Sequence, residues 1–278
     1  MRIWFKILDF YINSSIHVAL SVVALCYITF QTLEITFDIH LLFFVFFASI
    51  TGYNFVKFFG LAKFHHRSLA TWLKLIQIFS ALCFVGMIYF TFQLEERTII
   101  FLGVLGVITF LYAIPLAPRN WFLDKQKNLR SISGLKVYLI AFVWSGVTVF
   151  LPIFNEGMTI DGDGVTLGIQ RFLLILLLML PFEIRDLNYD SLKLATIPQQ
   201  IGIAKTKILG IVLAAFYVLL CQFYKNIGGE EIAWRIVVLL VCLIFIGFSN
   251  TRRSKYYTSF WVEAIPILWA IALFISEV

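Results

Sequence analysis

The sequence predicts an all-α polytopic membrane protein, on three observations. Of the 278 residues, 61% are hydrophobic and only 14% charged, and the mean hydropathy is +0.92, outside the range of soluble globular domains. The apolar residues gather into nine segments, each near the roughly 20 residues a helix needs to cross about 30 Å of hydrocarbon. Runs such as FLLILLLML (Phe172 to Leu180) are continuously apolar, where the strands of a membrane β-barrel would alternate. Apolar surface left in water costs about 25 cal/mol per Å², so the composition excludes a cytosolic enzyme, a secreted disulfide scaffold and a disordered tail.

The segments lie near 16 to 33, 40 to 58, 71 to 92, 98 to 117, 135 to 154, 167 to 183, 205 to 224, 232 to 249 and 259 to 276. The first follows Arg2 and Lys6, but it is long and no small-residue cleavage site follows it, so it is expected to stay as helix one. The sixth is the shortest and is expected to be tilted or interrupted. Cys26, Cys83, Cys221 and Cys242 all fall inside apolar segments and form no CxxC pair, which indicates small buried hydrophobes and neither a disulfide framework nor a zinc site. With no Pro/Ser-rich linker and no soluble appendage, residues 1–278 read as one transmembrane helical domain.

The net charge of +6 is topological. Placed along nine spans, all of the 22 Lys and Arg except Arg97, Arg171, Lys225 and Arg235 fall on one side. The positive-inside rule then puts the N-terminus in the cytoplasm and the C-terminus outside, in the cell's inner membrane. Charges dispersed over five short segments do not make a nucleic-acid patch, so no nucleic-acid partner is expected.

The polar residues concentrate in two places. On the outer side, NEGMTIDGDG (Asn155 to Gly164) holds Glu156, Asp161 and Asp163 but lacks the later ligands of a calcium loop, and reads as a solvated acidic turn. On the inner side, the sixth segment ends in PFEIRDLNYDSLKLATIPQQIG (Pro181 to Gly202). If that helix continues past Pro181, Glu183, Asp186 and Asp190 fall within about a 60° arc of one face. Three like charges at the mouth of an apolar bundle need a compensating cation: Arg185, Lys193 or a divalent ion. Hard oxygen ligands suit Mg²⁺, which commonly bridges a carboxylate to a substrate phosphate; the plainer alternative is a solvated helix end.

This acidic stretch, with the Lys193, Thr196 and Gly202 tail, resembles the second motif of the UbiA-type intramembrane prenyltransferases, a superfamily of nine-helix bundles with cytoplasmic N-termini. LYAIPL (Leu111 to Leu116), the basic loop holding Arg119 and Arg130, and LKVYLIAFVW (Leu135 to Trp144) are similar to the family's Tyr-and-basic segment. The resemblance implies a UbiA-like bundle that transfers a polyprenyl group from an isoprenoid diphosphate to a lipid-soluble, aromatic acceptor. It implies Mg²⁺ held by Glu183, Asp186 and Asp190, with substrate contacts from Asn54, Arg67, Tyr112, Arg119, Arg130 and Lys193.

The first motif departs from the family. Aligned on Asn54, the places where the family carries Asp hold Phe55, Phe58 and Ala62. Lys57 lies one turn along the same face, with His65, His66 and Arg67 following. A cation there would neutralise a diphosphate directly, so Lys57 joins Asp186 and Asp190 as a candidate catalytic residue, facing the acidic stripe across one cavity. Lys57 and Lys63 also suit interfacial anchors.

Loss of diphosphate puts negative charge on the leaving group and positive charge on the prenyl carbon, which call for cations and for dry aromatic faces respectively. Aromatics are 17% of residues, 30 of them Phe, though membrane helices also use Phe as bulk packing. Trp121, Tyr256, Tyr257 and Trp261 read as interfacial belt residues, as do the segment-end His17 and His40. Glu263, at the start of the last segment, is expected to face the interior or pair with a cation. No GxSxG, HExxH or P-loop pattern occurs, so hydrolase and NTPase readings have no motif behind them. Two rivals from other classes stand beside the transferase: a non-catalytic prenyl-lipid-binding or membrane-assembly protein, and a cation-coupled secondary transporter.

Overall fold

The computed structural model describes residues 2–62, 71–113, 134–189, 195–225 and 227–276. All regular structure among them is helical: α1 (Arg2–Asn13), α2 (Ile16–Thr32), α3 (Ile39–Ala62), α4 (Thr71–Thr91), α5 (Glu96–Ala113), α6 (Leu135–Ser145), α7 (Leu151–Asn155), α8 (Gly162–Asp186), α9 (Ile197–Leu219), α10 (Gly229–Phe248) and α11 (Ile265–Ser276). A π-turn (Gly146–Phe150) joins α6 to α7, and another (Tyr257–Val262) precedes α11. Among the described residues, seven stretches are long and apolar enough to cross a membrane, or eight if α1 and α2, bent by 57°, form one broken span. The protein is an all-helical integral membrane protein. The segment expected near 98 to 117 corresponds to α5, which is not among the seven, and whose continuation lies outside the described residues.

The continuously apolar run of the sixth segment becomes the central helix, because a helix apolar on all sides is stable only when surrounded. α8 packs against α6, α9 and α10, and Leu174, Ile175, Leu177 and Leu180 along it are almost wholly buried. Far from being shortened, it runs for 25 residues straight through Pro181. A second centre forms where α2 meets α3, the Gly146–Phe150 π-turn and α7. That turn has a local cause: Pro152 lacks the N–H that would bond the carbonyl of Thr148, four residues back. Thr29 Oγ1 of α2 donates to that carbonyl at 2.6 Å. Nearby, Gly168 must be glycine, since a Cβ there would stand 2.5 Å from the Phe150 ring.

α1 is an addition to the sequence reading, which treated residues 2–15 as an arm. Ser15 adopts a left-handed φ of 66°, so the chain turns sharply between α1 and α2. α1 leaves Trp4, Phe5 and Ile7 exposed while Asp9 is tied to Lys255 Nζ at 2.5 Å and Tyr256 OH at 2.8 Å.

Candidate functional site

At the end of the bundle where α1 meets α2, charged and polar side chains from five elements converge. Asn54 and Lys57 sit one turn apart on α3. Asn54 is 3% exposed; its Nδ2 donates to Ser14 O at 3.0 Å and to Ser80 Oγ at 2.7 Å. Its Oδ1 accepts from Ser15 Oγ at 2.8 Å. Asn54 thus fixes the α1–α2 turn, and through it Ser15. Lys57 Nζ donates to that same Ser15 Oγ at 2.8 Å, so the ammonium is drawn inward while the residue itself stays accessible. It does not extend away to the headgroups as a pure anchor would.

The second arm is the last turn of α8. Glu183 is 1% exposed and is paired with Lys136 Nζ of α6 at 3.3 Å. Arg185 grips its neighbour Asp186 with Nε at 2.7 Å from Oδ1 and Nη2 at 2.9 Å from Oδ2. The Arg185 Nη1 also donates to Thr258 Oγ1 and, at 3.4 Å, to Ser259 Oγ. Arg185 thus compensates Asp186, while Lys136, not among the named candidates, compensates Glu183.

The third arm is the π-turn before α11. Glu263 N donates to Thr258 O at 3.2 Å, one residue wider than the α-helical spacing, and this wider turn brings the Glu263 carboxylate in as the common charge neighbour of Lys57 and Arg185. Lys57, Glu263, Arg185 and Asp186 thus gather across the end of the bundle. His17 lies beside it and is buried, correcting the interfacial expectation: its Nε2 donates to Phe260 O at 2.8 Å and its Nδ1 accepts from Tyr11 OH at 2.8 Å.

The structure places Asn54, Lys57, Glu183 and Asp186 at one end of the bundle. Asp190, Arg67, Arg119, Arg130 and Lys193 lie outside the described residues, as does the Tyr112 side chain. The three-acid stripe does not continue on one helix, because α8 ends at Asp186 and the chain turns over residues 187–189 with Tyr189 N on Asp186 O at 2.8 Å. Beyond it, Gly202 breaks α9 with φ 79° and ψ 160°, a conformation essentially restricted to glycine. Among the described residues no group of three or more His, Cys, Asp or Glu is placed to hold a metal ion. Glu183 and Asp186 each carry a protein cation, so these two do not fit an open pair of carboxylates for Mg²⁺.

The sequence reading missed a buried polar core deeper in the bundle. Arg171 and Arg235 are 2% and 1% exposed, though sequence placed them with the outer-side charges. Arg171 donates to Leu25 O at 2.7 Å and Thr29 Oγ1 at 3.2 Å. Arg235 reaches Gln170 Oε1 at 2.5 Å and Glu231 Oε1 at 2.6 Å, and its guanidinium lies 4.6 Å from the Tyr224 ring centre. Gln170 is fully buried; it also accepts from Tyr224 OH at 2.8 Å and donates to Tyr217 O at 3.0 Å. An arginine inside an apolar run was the available signal.

The acidic loop ahead of α8 is a set of caps. Asp161 accepts from Gly164 N at 2.9 Å, and that bond, ahead of Lys225 beside it, holds its carboxyl below the usual carboxylate range. Asn155 bridges Asp38 Oδ2 at 2.7 Å to Glu95 N at 3.2 Å.

Compared with known protein families, with curated proteins and with solved structures, the chain matches none of them.

Proposed function

We propose that this chain is a UbiA-like membrane prenyltransferase of nine spans, with its N-terminus in the cytoplasm, its C-terminus outside and its charged end on the cytoplasmic side of the inner membrane. The charged end takes the diphosphate of a polyprenyl diphosphate, and the prenyl group passes to a lipid-soluble aromatic acceptor. The observation that carries the reading is the drawing of Lys57 inward by Ser15 to the end of the bundle that holds Arg185 and Asp186. Lys57 stands on the helix face where the resembled family uses acids, and a cation there meets diphosphate without a metal bridge.

In this reading the C–O bond between the allylic carbon and the diphosphate breaks, the acceptor bonds to that carbon, and the proton the acceptor loses leaves with the released diphosphate. Lys57 opposes the charge that develops on the leaving diphosphate. Arg185 contributes a second positive group, held in place by Asp186, Thr258 and Ser259. Asp186 balances Arg185 while no substrate is bound, so that this half-buried guanidinium is not left unpaired in a low-dielectric setting. Mg²⁺ has no step in this reading, since Glu183 and Asp186 are each paired with a protein cation.

The test is pyrophosphate release by purified protein from a polyprenyl diphosphate in the presence of a membrane-extracted acceptor pool. Release that depends on Lys57 supports the transferase. A second reading, a non-catalytic prenyl-lipid-binding protein, is favoured by the internal pairing of Glu183 and Asp186 together with Phe55, Phe58 and Ala62 in place of acids. It predicts diphosphate-lipid binding without pyrophosphate release.

A further inference from the structure

The turn joining α10 to the last span carries a feature that the proposed transferase chemistry does not use. Asn250, Thr251, Arg252 and Arg253 line an open recess of about 480 Å³. The turn is internally built: Arg252 N donates to Asn250 Oδ1 at 2.9 Å and Arg253 N to Asn250 O at 3.3 Å. Arg253 is held at its root, with Nε on Phe248 O at 2.9 Å and the guanidinium 4.9 Å from the Tyr257 ring centre. Lys207, from α9, adds a third cation by donating to Gly247 O at 2.6 Å. Among the described residues no carboxylate lies within ion-pair distance of Arg252, Arg253 or Lys207. The next cation along, Lys255, is different, since Asp9 neutralises it.

These cations sit directly above apolar surface. Leu240, Ile244 and Phe248 of α10 are exposed, and so are Ile208, Ile211 and Val212 of the adjoining α9. Capping of the α10 C-terminus accounts for the bonds to Gly247 O and Phe248 O, but not for the recess, for the exposed Arg252, or for three cations without an acid. A free phosphate would answer the charge alone. A ligand that is anionic at one end and a hydrocarbon along the rest answers both the charge and the apolar faces beneath it.

We propose that this turn is a binding site for the phosphate headgroup of an anionic phospholipid, whose acyl chains lie along the exposed faces of α9 and α10.

The experiment places the full-length protein in phosphatidylcholine nanodiscs doped with phosphatidylglycerol and measures, by mass spectrometry after detergent extraction, the phosphatidylglycerol retained per protein. The wild type and the Lys255→Gln variant are expected to retain it equally. Arg252→Gln and Arg253→Gln are each expected to lose about fivefold in apparent affinity, the factor for about 1 kcal/mol per surface cation. Arg252 makes no side-chain bond within the turn, so its variant keeps the fold, and unchanged melting in pure phosphatidylcholine checks this. Equal retention by the wild type and Arg252→Gln overturns the proposal. So does displacement of the lipid by inorganic phosphate at matched concentration, which would make the recess a free-phosphate site.

Discussion

Lys57 Nζ donates to Ser15 Oγ at 2.8 Å across the junction of α3 with the α1–α2 turn. Ser15 is fully buried and Asn54 accepts its hydroxyl proton, so the ammonium is tethered to a fixed point. If that ammonium meets diphosphate, Lys57→Ala weakens binding of a polyprenyl diphosphate by about 1.5 to 3 kcal/mol, the range for hydrogen bonds to charged groups. Titration of the purified protein with the diphosphate reads the change directly, and Lys57→Arg is expected to recover most of it.

The Arg185–Asp186 pair makes a prediction of opposite form. Removing Arg185 alone leaves Asp186 without its cation, whereas removing Arg185 and Asp186 together leaves less unbalanced charge. Both side chains are half-buried, at 18% and 29% exposure, so solvent moderates the effect. Arg185→Ala is expected to cost about 1 to 3 kcal/mol, and Arg185→Ala/Asp186→Ala less than the sum of the single changes. Melting of the four proteins in detergent closes this cycle.

Gly202 tests the backbone of the motif tail. At φ 79° and ψ 160°, any Cβ is strained, although the space around it is open. Gly202→Ala therefore costs about 1 to 3 kcal/mol through conformation alone, measured as a lowered melting temperature.

The cap at Asp161 sets a pH dependence. Its folded pKa is depressed, so the stability it contributes is present above the unfolded carboxylate value of about 3.9 and fades as pH falls through the lower folded value. Asp161→Ala is expected to cost about 1 kcal/mol near neutral pH. Parallel melts should show the gap between wild type and variant closing below about pH 4.

The buried core of α8 gives a contrast within one pair of neighbours. Gln170→Leu strands Arg235, the Tyr224 hydroxyl and Tyr217 O, and is expected to cost about 3 kcal/mol. Arg171→Met removes a buried charge that has no carboxylate partner among the described residues, while Thr29 Oγ1 keeps its bond to Thr148 O at 2.6 Å. Its expected effect on melting is near zero or stabilising.

Much of this was legible in the sequence. The run Phe172 to Leu180 announced a helix surrounded on all sides, and the charges after Pro181 announced a polar end needing internal compensation. Arg185 was among the named compensators because a guanidinium next to a carboxylate needs no long-range contact to pair. The partners of Glu263 and Arg171 were not legible, since Lys57 and Leu25 O come to them from distant helices. The apolar length of roughly 20 residues that marks a span also passes over α1: it is too short to cross a membrane, and its break depends on the left-handed Ser15, a residue with no glycine signature. The end of α8 at Asp186 was hidden for a similar reason, because residues 187–189 contain neither Gly nor Pro.

The most direct test of the central claim is calorimetric titration of the purified protein, in EDTA, with a polyprenyl diphosphate whose bridging oxygen is replaced by sulfur to slow its ionisation. The account predicts binding without any divalent metal, reduced at least tenfold by Lys57→Ala and unchanged by Lys255→Gln. Equal binding by wild type and Lys57→Ala, or binding that appears only when Mg²⁺ is added, would contradict it.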